Sequence, residues 1–211
     1  MARFITFLTD FGLQDDFVGT CHGVIKRIAP DVEVIDITHG IAPQGVLQGA
    51  LTLANTLPFM PAGVHLAVVD PGVGGARRAL ALRDGEGRIH VGPDNGLLIP
   101  AAEKFGGIAE AHELANPDYA LESVSRTFHG RDLFAPAAAH LALGVGLAQL
   151  GPPIAVDALA RLGSKLPVIS IGPLTTAAAR AAGLDVVAEA RTRDADGLVD
   201  SAAAWRDSSH S

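Results

Sequence analysis

Cysteine is almost missing from this chain: Cys21 stands alone among 211 residues, so no internal disulfide can form. That fits a reducing compartment and points to a cytoplasmic address. Long apolar runs are missing too; crossing a bilayer takes about 20 such residues, so no membrane partner is expected. The start, "MARFITFLTDFG", meets an acid soon after a short apolar stretch and has no small-residue cleavage pattern, unlike a signal peptide. Positive charge is scarce, with 16 Lys and Arg against 23 Asp and Glu and a net charge of −7. That is the wrong balance for neutralising phosphates, so no nucleic-acid partner is expected. Neither HxxxH nor HExxH occurs, and with one cysteine no zinc cluster, and no metal, is expected. No Gly-Lys-Ser/Thr follows a glycine loop, and no GxSxG is present, which argues against a P-loop and a serine-hydrolase elbow. No period of roughly 20–50 residues repeats, which argues against a solenoid.

What the chain does have is apolar residues, 48% of the total, enough for a substantial core. Short β-rich runs alternate with amphipathic segments, the pattern of an α/β domain with a central, mostly parallel sheet flanked by helices. "RFITFLTD", "VEVIDIT" and "VHLAVVD" read as strands. Between the first two, Phe17, Cys21, Val24, Ile25 and Ile28 recur at helical spacing, and Pro30 stops the helix. Asp15 or Asp16 is placed to cap its start. A second helix covers residues 46–57. "RALALRD" and "RIHVGPD" flank the turn "DGEG" as a hairpin. "FAPAAAHLALG" reads as a helix ending at Gly144.

Three strands end on polar residues: Asp10, the "DITHG" stretch with Asp36 and His39, and Asp70. Ligands of open α/β sheets bind beyond the carboxyl ends of strands, which makes these acids better candidates than acids on helix faces. Turn chemistry favours Asp at strand ends as well. In "DPGVGG" the glycines around Gly72 and Val73 let the backbone turn sharply and come close to a ligand. Arg77 and Arg78 follow in strand alternation and should point to opposite faces, one back toward Asp70 and one to solvent. A structural salt bridge is an equal reading of the Asp–Arg pair. In "VGPDNGLL", Asn95 either offers its amide to a ligand or serves a turn. In "TFHGRD", His129 stands beside Gly130 ahead of a helix, so its ring can approach a ligand with no neighbouring side chain in the way. His65, His90, His140 and His210 fall in strand, helix and tail patterns and carry no such signal.

Taken in order, "TDFGLQDDFVG", "VVDPGVGGARRA", "VGPDNGLL" and "TFHGRDLFAPAAAHLA" resemble the S-adenosylmethionine (SAM) hydroxide adenosyltransferase family over residues 1–160. These are SAM hydrolases related to SAM-dependent chlorinases and fluorinases. The resemblance implies attack of a water-derived nucleophile on the 5′ carbon of SAM, release of methionine and adenosine, and no cofactor beyond the substrate. It places an Asp–Arg–His set at the reacting carbon, on Asp70, Arg77 and His129, with the carboxylate facing the imidazole across room for one water. Asp15 matches the acid that takes the ribose hydroxyls, a diol suiting its two acceptors. Asp10, Gly72, Val73, Asn95 and Gly130 fall in the same motifs as further substrate contacts. Halogenating relatives carry tyrosine where this chain has Asp70. Because a carboxylate repels a halide at close range, Asp70 points to hydrolysis. A SAM-dependent halogenase and a silent nucleoside-binding or scaffold chain are the alternatives. The family expectation for assembly is a homotrimer.

The last part of the chain reads differently. From residue 166, "LPVISIGPLTTAAARAAGLDVVAEA" reads strand, turn, helix, strand, with another helix following. It resembles the closing part of uroporphyrinogen-III synthase, with which it shares an "IGP-T-T" turn, and takes the place of the family's usual β-rich second domain. Loss of that domain's nucleoside contacts would weaken affinity and catalysis. Thr175 and Thr176 are placed to cap the helix, which should end at Gly183. The expected division is a SAM hydrolase-like domain over 1–163, a small α/β appendage over 164–206 and a disordered tail over 207–211.

Overall fold

A computed structural model of the chain describes residues 4–155, 167–181, 185–192 and 194–209. The chain divides into two units, Met1–Ala160 and Arg161–Ser211. In the first, β1 (Phe4–Thr9), β2 (Glu33–Thr38), β3 (Val64–Val68), β4 (Ala79–Asp84), β5 (Ile89–Pro93) and β6 (Ile108–Glu113) form one sheet. Their order is β2-β1-β3-β5-β4-β6. β1 pairs in parallel with β2 and β3, and β3 with β5. β4 runs against both its neighbours, β5 and β6, as the hairpin at "DGEG" requires.

Both faces of the sheet are covered. Ile5, Phe7, Val64, Leu66 and Val68 pack with α1 (Phe17–Ile28) and α4 (Ala135–Ala142). Leu8, Ala67 and Val69 pack on the other face with α2 (Val46–Thr56) and α3 (Ile99–Lys104). Alternate strand residues face opposite ways, so a strand buried on both sides must be apolar nearly throughout. That is why "FITFLT" and "VHLAV" are near-continuous apolar runs. A short α5 (Leu147–Leu150) follows α4. Cys21 is fully buried on α1, and burial pushes its thiol up to about 12, which leaves it a core residue without nucleophilic use.

The path of the chain opens a crevice. β1 leads to β2 on one side through α1, on one face; β2 returns across β1 to β3 through α2, on the other face. The chain thus winds to both sides of β1 through helices on opposite faces, and such a reversal of strand order, here between the carboxyl ends of β1 and β3, is the switch point where open sheets bind ligands. Asp10 follows β1 there and Asp70 follows β3.

Several local expectations change. Asp16 precedes α1 but caps no backbone N–H; it is itself in helical conformation, and its carboxylate accepts from the Thr20 hydroxyl at 3.2 Å. β4 starts at Ala79, so Arg77 and Arg78 lie in the loop ahead of it. Arg78 does not simply face solvent: its Nε donates to Asp94 Oδ2 at 2.8 Å. A single π-helical turn, Gly130–Phe134, precedes α4.

The second unit pairs β7 (Pro167–Ser170) in parallel with β8 (Asp185–Glu189), with α6 (Pro173–Ala181) and α7 (Ala195–Ser209) as its helices. Thr176 is no cap. It lies inside α6, buried, with its hydroxyl 3.1 Å from the Gly172 carbonyl and in reach of Ser170 and Glu189. α7 runs through Ser209, where a disordered tail was expected from 207, because no proline interrupts the alanine-rich stretch. The expected start of the appendage at 164 and the helix stop at Gly183 lie outside the described residues, as do residues 210 and 211.

Candidate active site

The chain leaves β3 through two tight turns: Val73 N–H donates to the Asp70 carbonyl at 3.3 Å and Gly75 N–H to the Gly72 carbonyl at 3.0 Å. At Gly74, φ is +71° and a Cβ would stand 2.2 Å from the Arg126 carbonyl oxygen, so only glycine fits. The reversal carries Arg77 back over Asp70. Arg77 Nε lies 2.9 Å from both carboxylate oxygens, and Nη2 donates to Oδ2. The two side chains are 11% and 6% exposed, which removes the pair from the class of solvated surface bridges worth little. The Phe134 ring backs the guanidinium, 5.2 Å from its centre.

Arg77 Nη2 also donates to His129 Nδ1 at 2.8 Å. The guanidinium thus stands between carboxylate and imidazole, and the expected direct face-off across one water becomes a bridged set. The reason is reach: one guanidinium has donors enough for both partners. It follows that Nδ1 is an acceptor and the neutral ring carries its proton on Nε2. Burial, and then the Arg77 charge, hold His129 below the ordinary histidine value of 6.5, so the ring stays neutral near pH 7. With its Nδ1 lone pair engaged, His129 is a donor at Nε2 and a poor base. The carboxylate of Asp70 keeps further lone pairs, which makes it the member of the set with capacity left to accept a hydrogen bond.

His129 is delivered by the loop before the π turn. Asp132, fully buried, accepts from Ser125 N–H at 2.8 Å and is clasped by Arg131, while Ser125 Oγ accepts from Phe128 N–H at 3.0 Å. Gly130 lets this segment approach the first strand loop closely; a Cβ there would meet Phe11 Cζ at 2.8 Å. Phe11, Phe17 and Phe128 pack together, with Phe17 and Phe128 edge to face at 4.8 Å.

A cleft at the switch point is lined by Asp10, Asp70, Thr127, His129 and Gly130, with Phe11, Val68, Val73 and Phe128 as its apolar walls. Among the residues singled out from sequence, Asp10, Asp70, Val73, His129 and Gly130 come together there. Gly72 is outside that lining and lies against the ion pair, where a Cβ would stand 3.1 Å from Arg77 Cγ and 3.8 Å from Asp70 Oδ1. Asp10 accepts from Gln44 N–H at 2.8 Å, and Gln44 holds a φ of 64°, a strained value for a residue with a side chain. Asp15 stands exposed in the loop before α1, apart from this lining. Asn95 is committed elsewhere: its Nδ2 donates to the Val69 carbonyl at 2.8 Å and its Oδ1 accepts from Leu97 N–H at 3.2 Å. Nδ2 fastens the loop to the end of β3 and Oδ1 closes a turn within the loop, so the amide serves the structural reading of the two. Phe11, Thr127, Phe128 and Asp132 carry no motif of their own in the sequence. Their signal was adjacency, Phe11 next to the strand-end Asp10 and the others flanking His129.

Fold and cleft define an α/β domain, wound to both sides of β1, with a charged floor and aromatic walls at its switch point. A family model described as the SAM hydroxide adenosyltransferase N-terminal domain matches residues 5–151. The chain belongs to the SAM hydroxide adenosyltransferase family. It is 57% identical over 162 residues to the (R)-S-adenosyl-L-methionine hydrolase of Salinispora arenicola, covering 77% of this chain and 62% of that protein. It is 31% identical over 186 residues to the fluorinase of Nocardia brasiliensis, covering 77% and 62%. Among solved structures, an uncharacterized conserved protein from Thermotoga maritima superposes with a TM-score of 0.68 at 44% identity, over 72% of this chain and 58% of that one. The chain thus spans about three-fifths of the length of the curated relatives it matches.

Proposed function

We propose that the chain hydrolyses SAM to adenosine and L-methionine. The observation that carries this is the Asp70–Arg77–His129 set at the mouth of the switch-point crevice. A sulfonium is already a good leaving group, so the task of the site is to hold a water in line with the bond that breaks. The water oxygen forms a bond to the 5′ carbon as the carbon–sulfur bond breaks, its electron pair going to sulfur to leave neutral methionine thioether. The proton lost by water goes to Asp70. Arg77 fixes the carboxylate's orientation, and His129 fixes the guanidinium and offers Nε2–H to the water's second lone pair. Asp10, Gly72, Val73 and Gly130 shape the substrate's place, and Asp15 takes the ribose hydroxyls. The 57% identity to a SAM hydrolase supports this reading.

On the same reading SAM is the small-molecule partner and no cofactor is needed. The net charge of −7 supports the lack of a nucleic-acid partner. Among the described residues no helix is long and apolar enough to cross a membrane. The single cysteine supports a cytoplasmic location. The active form is a homo-oligomer, a trimer as in the family, and the second unit derives from a uroporphyrinogen-III synthase-like fragment, which its parallel β7–β8 pair with following helices supports.

The test is incubation with SAM in water enriched in heavy oxygen. Adenosine and methionine should appear in equal amounts, with the label in the adenosine 5′ hydroxyl, and Asp70→Asn should stop both. Intact SAM after incubation with the pure chain refutes the activity, and a halogenated nucleoside in chloride-containing buffer refutes the choice of nucleophile.

A further inference from the structure

Apart from the cleft lining, His22 on α1, Asp36 on β2 and His39 just beyond β2 converge. One ligand atom from each lies within 4.8 Å of the other two. Asp36 Oδ1 stands 2.9 Å from His22 Nε2 and 3.2 Å from His39 Nε2. Two ligand atoms each about 2.0–2.1 Å from a tetrahedral zinc lie roughly 3.3 Å apart; both approaches to Asp36 are near that spacing.

The surroundings favour a ligand over a plain ion pair. His39 is 5% exposed, and its Nε2 is buried with no hydrogen-bond partner, the approach to Asp36 falling short of good alignment. A buried ring nitrogen in that condition is costly unless something takes up its lone pair. On the ring's other side, Nδ1 lies 2.9 Å from the hydroxyl of fully buried Thr9. Metal-bound imidazoles are held by such an outer partner, which fixes both ring and tautomer. Phe7 closes the back, edge-on to His39 at 4.9 Å and tilted against His22 at 5.9 Å. The front is open, with side-chain exposures of 32% at His22 and 41% at Asp36, which gives an ion and its water a way in.

We propose that His22, Asp36 and His39 form a binding site for a divalent zinc-class metal ion, completed by water. Two imidazoles and one carboxylate suit zinc among the available divalent ions. The site departs from the sequence expectation of no metal because its ligands come from a helix, a strand and a loop, and no short spacing links His22 to the others. An ion there ties α1 to the end of β2.

Metal-stripped chain is titrated with Zn²⁺ by calorimetry and with Co²⁺ by visible absorption. One equivalent per chain is expected, with the intense absorption of tetrahedral cobalt. Thr9→Val should weaken binding about 10–100-fold, the usual cost of losing an outer partner. His22→Ala and Asp36→Asn should each weaken it further, while His112→Ala leaves it unchanged. His22 is part-exposed, so its variant should keep the wild-type circular dichroism, which makes the comparison independent of folding. No uptake by the intact chain, or uptake that survives both His22→Ala and Asp36→Asn, overturns the proposal.

Discussion

Replacing Arg77 by glutamine probes the bridged set most directly. The substitution removes the bonds to both oxygens of Asp70 and the bond to His129 Nδ1. Asp70, with a side chain only 6% exposed, is left without its counter-ion. Breaking a buried pair by taking away one partner costs roughly 3–5 kcal/mol, against about 0–1 for an exposed pair. A stranded buried carboxylate relieves itself by taking up a proton, and a protonated carboxyl accepts none from water. Loss of a positioned base lowers turnover by about 10²–10⁴-fold. Urea unfolding gives the first quantity and SAM turnover the second. The double variant Asp70→Asn/Arg77→Gln separates the causes: it should regain most of the stability, since no charge is stranded, and none of the activity. An Arg77→Gln protein within about 1 kcal/mol of the parent would put the pair among ordinary surface bridges and refute the reasoning.

Other outcomes follow from the same geometry. The acid limb of the activity profile should have its midpoint below pH 6.5, because burial and Arg77 keep His129 neutral to lower pH; a midpoint above 6.5 would contradict the assigned tautomer. His65, fully buried against His90, is lowered from 6.5 to about 3, chiefly by burial. Its folded value lies below its unfolded one, so its contribution is complete above 6.5 and is lost as pH falls toward about 3. The whole span is worth on the order of 5 kcal/mol. Urea melts between neutral and acid pH should therefore fall less steeply for His65→Gln than for the parent, and parallel curves would refute the assignment. Gly130→Ala drives a Cβ to 2.8 Å from Phe11 Cζ; stability should drop by about 1–3 kcal/mol and KM for SAM should rise, whereas an unchanged KM would mean that Phe11 is no wall of the cleft.

How much of this can be read from the chain alone depends on how far apart the partners are. β1 and β3 are legible as near-continuous apolar runs because both their faces are covered. The Asp70–Arg77 pair is legible because the two stand seven positions apart across a glycine turn. The link from Arg77 to His129 spans 52 residues, and no local pattern announces it. The π turn has the same difficulty: its neighbour Ser125 and the buried Asp132 fix it through bonds that a window of residue types does not encode. Asn95 misleads for the opposite reason. Its local chemistry suits a ligand contact and a turn alike, and only the carbonyl of Val69, 26 residues away, decides for the turn.

On the proposed hydrolysis, the choice between water and halide rests on hydrogen-bond sense more than on net charge. Alone, a carboxylate would repel a halide strongly at contact distance. Here the Arg77 fork neutralises Asp70, so the repulsion that remains is much weaker than the sequence suggests. What the fork cannot change is that Asp70 is an acceptor, and that Nδ1 of His129 already accepts from Arg77. A halide has no proton to give an acceptor and needs several donors to replace its hydration shell. Among the side chains that line the cleft, the donors are Nε2–H of His129 and the Thr127 hydroxyl; the others are the carboxylates of Asp10 and Asp70 and the apolar Phe11, Val68, Val73 and Phe128. Water satisfies Asp70 by donating and His129 by accepting, and still has one lone pair for carbon. A halide in its place would strand the carboxylate and be poorly solvated itself, two losses that act in the same direction. Converting the cleft to halide use would therefore require replacing Asp70 by a donor, and neutralising its charge alone would not suffice.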